Sequence, residues 1–398
     1  MNQTAIVKAL HRAIETNNLQ EIPKLLQLSA PVDALINEKS PLHKAAALGH
    51  CTAAVLLLGA GAAVQLQDKD GNSPLHYAAH EGHLAVCNRL IKAGAAIGST
   101  NKNGDSPLHL AAAAGHTKIV LKLLDSGANI ALQNHQGNTA ISLACQHAQL
   151  NILRAIDLSQ PAYLLKNNDQ NSPFLLALIA LHQLQIDHWE HQIREGSKRY
   201  TYSIQRACFY IIPTIAPVPN KALSRTAQKK YFAQSWFPKK QIDYLKQLNL
   251  LYYLIKKTAL NIDANSKGLS PLHMACIMGE GTILAAILKH QRRLNPSYGQ
   301  ISALHLLACS GRLDGLSVYL NAATADEIHH KDSKGWTVLH YLADAAGTVP
   351  MLQLLLSRGA NPLIKSLEAT EQFAKGSTAA QIAVARNNLD LAIALDSK

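Results

Sequence analysis

Apolar and polar positions along this chain recur in blocks, not in one long helical or strand period. A block opens with Ser or Thr, often Pro, then an apolar anchor, a polar residue and a small apolar pair. It reads SPLHKAAALGH from Ser40, SPLHYAAHEGH from Ser73, SPLHLAAAAGH from Ser106, TAISLACQHAQ from Thr139 and SPFLLALIALH from Ser172, with every step 33 residues. The pattern resumes as SPLHMACIMGE at Ser270, SALHLLACSGR at Ser302, TVLHYLADAAG at Thr337 and STAAQIAVARN at Ser377, with steps of 32, 35 and 40. Each part of the block has a physical reading. Ser or Thr caps a first helix, and Pro suits its first turn, where no amide partner is needed. Leu anchors the core, and the small pair lets helices approach closely. Gly49, Gly82 and Gly115 permit the left-handed turn that ends the helix. An apolar second helix follows, as in AVLLL at 54–58 and KIVLKLL at 118–124. A polar loop with its own glycine (Gly71, Gly104, Gly137, Gly268, Gly335) then predicts a β-turn finger.

A 33-residue period carrying S/T-P-L-H-x-A resembles the ankyrin family. The resemblance covers roughly 5–183 and 258–398, with HRAIETNNLQEIPKLL similar to an N-terminal capping repeat. STAAQIAVARNNLDLAIALDSK is similar to a C-terminal cap, shortened and polar at its end. The expected fold is an all-α ankyrin-repeat solenoid of helix-turn-helix repeats with β-turn fingers, in two lobes with a helical insertion. Residues 1–183 form the first lobe, a capping unit plus five repeats. Residues 184–257 form a basic, aromatic-rich insertion ending in a degenerate repeat. Residues 258–398 form the second lobe of about four repeats with a cap.

The resemblance implies a binding scaffold or adaptor that recognises another protein through finger tips and the exposed face of the first helices. The matching finger positions are Lys69, Asp70 and Asn72, then Lys102, Asn103 and Asp105, then His135, Gln136 and Asn138. The helix positions are His80 and Glu81, then Gln146 and His147, with Ala113 and Ala114 between them. In the second lobe the set includes Ser266, Lys267, Leu269, Ile277 and Met278. Trp336 follows Gly335 at a finger position where polar residues are usual. An exposed Trp there is a binding hot spot, worth about 2 kcal/mol or more. The other reading packs it on the enlarged loop at 321–334. The histidines of the S/T-P-L-H motif are read as structural hydrogen-bonding residues.

The middle departs from the repeat. Residues 184–262 hold 12 of the chain's 20 aromatics and 13 Lys or Arg against 4 Asp or Glu, so +9 of the net +12 sits there. Pro213, Pro217 and Pro219 break that window, with long helical stretches expected near 184–212 and 239–257. Phe237-Pro238 falls near where a repeat would start, so LLYYLIKKTALNIDANSKG reads as a second helix plus finger. Lys229, Lys230, Trp236, Lys239 and Lys240 mix rings and cations. Stacking plus phosphate neutralisation is how single-stranded nucleic acid is held. That gives one alternative, a nucleic acid or anionic membrane bound by the insertion. The favoured reading is a local aromatic core solvated by lysines. A second alternative is an enzyme with chemistry near Cys208, since a reactive Cys needs an electropositive setting. The apolar FYII that follows favours a core thiol instead. His182, His188 and His191 raise a metal site, but zinc needs three or four ligands in the right geometry.

No phosphate-binding loop, dinucleotide fingerprint or G-x-S-x-G elbow occurs, so neither a cofactor nor catalysis is expected. His80-Glu81-Gly82-His83 has the wrong spacing for H-E-x-x-H. The six cysteines are scattered with no C-x-x-C pair, which fits a reducing compartment. No signal-peptide-like start or membrane-length apolar run is present in the sequence. A monomer in the cytoplasm is expected, or in a host cytosol if the chain is a secreted effector of an intracellular bacterium. Its Asn-, Gln-, Lys- and His-rich composition leans toward the latter.

Overall fold

Each first helix begins where the side-chain chemistry says it should. The structure is a computed structural model that describes residues 3–28, 30–156, 165–183, 238–257, 266, 269–289, 301–345, 347–368 and 373–397, with side chains in the helix at 238–257 described for 246–255. The helix Pro41–Leu48 has Ser40 as its cap, Pro at its first turn and Gly49 at its end with φ +74°. Pro74–Glu81 and Pro107–Ala114 repeat this plan, ending at Gly82 and Gly115 with φ of +90° and +87°. The left-handed backbone favours glycine, and packing enforces it. A Cβ on Gly49 would stand 2.5 Å from His83 Nδ1, and one on Gly82 2.6 Å from the His116 ring.

The chain divides into two compact units, Met1–Pro173 and Phe174–Lys398. In the first, the helices Gln3–Glu15 and Glu21–Gln27 open the stack with Leu10, Ile14 and Ile22 fully buried. First helices then stack in a row: Pro41–Leu48, Pro74–Glu81, Pro107–Ala114 and Ala140–Gln146. A second row holds Cys51–Gly59, Leu84–Lys92, Thr117–Asp125 and Leu150–Ala155. The core lies between the rows. Its anchors Leu42, Leu75, Leu108 and Ile141 are buried, as are the small residues Ala45, Ala46, Ala78, Ala79, Ala111 and Ala112. Small side chains are what allow the close approach of consecutive first helices.

The second unit repeats the two rows with looser joints. Its first helices are Pro271–Met278, Ala303–Ser310, Val338–Asp344 and Ala379–Ala385, paired with Gly281–Leu288, Leu313–Leu320, Val349–Ser357 and Leu389–Asp396. The enlarged loop before Thr337 contains a short helix, Ala325–Ile328, capped reciprocally by Thr324 and Glu327. Upstream, a helix at 173–183 precedes Pro238–Lys257, one continuous helix of 20 residues. It covers the helical stretch expected near 239–257, where no Gly or Pro interrupts the chain. This long helix packs beside Gly281–Leu288, and Gln247 Nε2 donates to Ala177 O at 2.9 Å. In the C-terminal pair Val384, Leu389 and Ile393 are exposed. Among the described residues the only β pairing is two isolated bridges, Ile36 with Lys39 and Lys365 with Thr378.

Candidate protein-binding surface

The finger tips rest on an Asp or Asn that folds each turn around itself. Asp68 Oδ1 accepts the amides of Asp70 and Asn72 at 2.9 and 2.8 Å, while Oδ2 accepts the Tyr77 hydroxyl at 2.7 Å. Burial pushes the Asp68 carboxyl up, but those hydrogen bonds outweigh it and hold it below the usual carboxylate range. Asn101, Asn134 and Asn167 organise the next three turns by the same pair of amide contacts. Asp332 does so in the second unit, accepting from Lys334 and Trp336 amides and from the Tyr341 hydroxyl. These residues stand five positions before each cap, outside the positions that the repeat pattern singles out.

Successive fingers are then bonded to one another. Lys102 N donates to Asp70 O, His135 N to Asn103 O and Asn168 N to Gln136 O, at 2.9, 3.0 and 3.0 Å. Side chains run a parallel ladder: Asn101 Nδ2 to Asn72 Oδ1, Asn134 Nδ2 to Asp105 Oδ1 and Asn167 Nδ2 to Asn138 Oδ1. The motif histidines fasten the finger row to the first helices. His43 Nδ1 accepts from the Ser40 amide and hydroxyl, which places the ring proton on Nε2, and Nε2 donates to Asn72 O at 3.0 Å. His76 and His109 make the same contacts to Asp105 O and Asn138 O. Burial lowers all three from the ordinary histidine value, so they are neutral structural donors.

This geometry sorts the finger positions. Lys69, Asp70, Lys102, Asn103, His135 and Gln136 are exposed at the tips. Lys69 is paired with Glu38 at 3.0 Å. Asn72 and Asp105 are half-buried, and Asn138 is only 4% exposed. Their side chains face the next finger, so the expectation that they are free to meet a partner is corrected. On the helix side His80, Glu81, Gln146, His147 and Ala114 are exposed, with His80 and Glu81 3.0 Å apart, while Ala113 is half-buried.

In the second unit the outcome is different. Ser266 is exposed and Ile277 half-buried, but Leu269 and Met278 are buried, and Lys267 lies outside the described residues. Trp336 is 7% exposed, stacked on His340, edge-on to Tyr341 and close to Phe373. Its ring is therefore a core element of the finger, and the exposed hot-spot expectation is corrected. The loop residue it packs on is Phe373, beyond the helix Val349–Ser357. Among the described residues its indole N–H finds no acceptor.

Lys229, Lys230, Trp236, His188, His191 and Cys208 lie outside the described residues, as do the side chains of Lys239 and Lys240. His182 is buried on the helix at 173–183. Among the described residues no group of His, Cys, Asp and Glu is placed to hold a metal ion. Among the described residues, Cys51, Cys87, Cys145, Cys276 and Cys309 form no disulfide. Burial pushes the Cys87 and Cys145 thiols up to about 12, the opposite of what a nucleophile needs.

A family model for ankyrin repeats in three copies matches residues 10–100 and 75–163, and a single-repeat model matches 334–367. These are ankyrin repeats. Among curated proteins, ankyrin repeat protein nuc-2 of Neurospora crassa is 36% identical over 94 residues. The match covers 24% of this chain and 9% of that protein, so the chain spans less than a tenth of its relative. The ankyrin matches fall on both units, and ankyrin repeats generally serve as protein-interaction scaffolds. Among the described residues, no helix is long and apolar enough to cross a membrane.

Proposed function

We propose that this chain is a protein-binding adaptor whose partner docks on the N-terminal ankyrin unit. The contact surface is the tip row Lys69, Asp70, Lys102, Asn103, His135 and Gln136, together with His80, Glu81, Gln146 and His147. The observation that carries this reading is the finger ladder. It uses up the inward-facing polar groups and leaves one row of exposed polar tips on a hydrogen-bonded backbone, of which Lys69 is paired with Glu38. Rigid presentation lowers the ordering cost of binding. No residue here is assigned a catalytic role. The same surface serves an adaptor in its own cell and an effector delivered to a host alike.

Site-specific photo-crosslinking tests the reading. A crosslinker at Gln136 or Asn103 captures a protein partner, and one at Arg89 or Lys118, exposed on the second-helix row, does not. Capture from Arg89 and Lys118 with none from the tips would contradict it.

A further inference from the structure

One finger tip differs chemically from the rest. Asn103-Gly104 is the only Asn-Gly pair in the chain, whereas Asp70, Gln136, Lys267 and Lys334 precede the turn glycine in the other fingers. The glycine is fixed by the fold. Gly104 has φ +78°, and a Cβ there would stand 2.6 Å from the His135 backbone nitrogen. No side chain can therefore be placed after Asn103 to shield the next amide. Asn103 itself is exposed, and its side-chain amide makes no hydrogen bond among the described residues. The neighbouring finger asparagines differ on both counts. Asn72, Asn101, Asn134 and Asn138 are each followed by a residue with a side chain, and each has its own side chain in the ladder.

We propose that Asn103 is a site of spontaneous succinimide formation, which converts a neutral finger tip into an anionic one. The Gly104 nitrogen gives its proton to solvent base and bonds to Asn103 Cγ. The Cγ–Nδ2 bond breaks, and ammonia leaves with a proton from water. Water then adds to one of the two ring carbonyls. Opening at the side-chain carbonyl leaves an ordinary aspartyl residue, and opening at the backbone carbonyl leaves an isoaspartyl link through Cγ. The net change is water in and ammonia out, with no oxidation or reduction.

The finger gates this step. The Gly104 amide donates to Asn101 O at 2.9 Å, and Asn101 Oδ1 holds the amides of Asn103 and Asp105 at 3.0 and 2.9 Å. Opening of this one turn frees the nitrogen, and surface turns open at far lower cost than the core. The two products differ in consequence. The aspartyl product repeats what the preceding finger already carries at Asp70. The isoaspartyl product adds a methylene to the backbone at the residue whose carbonyl accepts His135 N at 3.0 Å, and so loosens the tie between fingers. Any effect on binding rests on the adaptor reading above, whereas the modification does not.

The test uses the full-length chain incubated at mildly alkaline pH, digested and analysed by mass spectrometry with isoaspartate-resolving chromatography. The expected result is a peptide carrying residue 103 that separates into two products, each with the amide replaced by a hydroxyl. Ammonia appears in step, Asn72, Asn101 and Asn134 stay intact, and N103Q abolishes the change. A synthetic peptide of residues 100–108 runs alongside. Conversion in that peptide while Asn103 stays intact in the folded chain would overturn the proposal, as would equal conversion of Asn101 or Asn134.

Discussion

In the N-terminal unit, His83 and His116 each reach back 36 residues, donating from Nε2 to Ala47 O and His80 O at 3.0 and 2.9 Å, and Gln149 does the same to Ala113 O. In the C-terminal unit the corresponding helix starts carry Glu280 and Arg312, joined at 2.6 Å. Further ties there come from Arg386 Nε to Asp344 at 2.8 Å and from Arg358 to Leu320 O and Asn321. One unit is laced by side chains that donate to backbone carbonyls, the other largely by arginines. The loops differ in parallel. Where each finger donates to the one before it, the period stays at 33 residues. In the C-terminal unit the described finger tie is Leu367 N to Lys334 O at 2.8 Å, and the steps there reach 35 and 40. A carbonyl tie fixes the spacing of backbones, whereas a long arginine tolerates a displaced neighbour.

The comparison predicts equality in the core. Leu108→Ala and Leu304→Ala remove equivalent buried anchors and each costs about 2–5 kcal/mol. Denaturant unfolding followed by unit-resolved hydrogen exchange checks this. A large loss in one unit and a negligible one in the other would break the common-core premise.

Acid should weaken both units. Burial lowers His43, His76, His109 and His340, and burial with the neighbouring His330 brings His305 down to about 3. A histidine depressed in the fold binds its proton more readily when unfolded. Its stabilising contribution is complete above the unfolded value near 6.5 and declines as pH falls toward the folded value. Each full pKa unit of depression is worth about 1.4 kcal/mol. Melting temperature should therefore fall from neutral pH downward in both units, and a flat profile between pH 6.5 and pH 4 would contradict the neutral-donor assignment.

Salt should separate them. Arg312→Ala should cost about 1 kcal/mol or less, because the pair is partly solvated, and high salt should shrink that cost. His116→Ala should cost about 0.5–1.5 kcal/mol with a smaller salt dependence, since its tie ends on a backbone carbonyl and not on a carboxylate. Equal salt responses in thermal melts would erase the distinction. The smallest effect belongs to Trp336→Phe. It keeps most of the buried ring and removes an indole N–H that has no acceptor among the described residues, so stability should change by less than about 1 kcal/mol in either direction.

The repeats were legible because several independent signals coincide at each start: the cap Ser or Thr, Pro, the buried Leu and the closing Gly. The turn organisers Asp68, Asn101, Asn134, Asn167 and Asp332 were equally legible in principle, as Asp or Asn at a fixed distance before each cap favours such turns. The inward turn of Asn72, Asp105 and Asn138 was not legible, because it depends on a partner 29 residues later in the neighbouring finger. The burial of Trp336 depends likewise on Phe373, brought in by the longest step of the array. Turn chemistry is local and shows in sequence, whereas the direction a tip side chain takes is set by its neighbours.

The binding claim is tested most directly by the triple variant Lys69→Glu, Lys102→Glu and His135→Glu, measured for affinity to the partner captured by crosslinking and for melting temperature. The account predicts at least a tenfold weaker complex, about 1.4 kcal/mol, with melting close to wild type. Unchanged affinity for that partner with the same melting would contradict it.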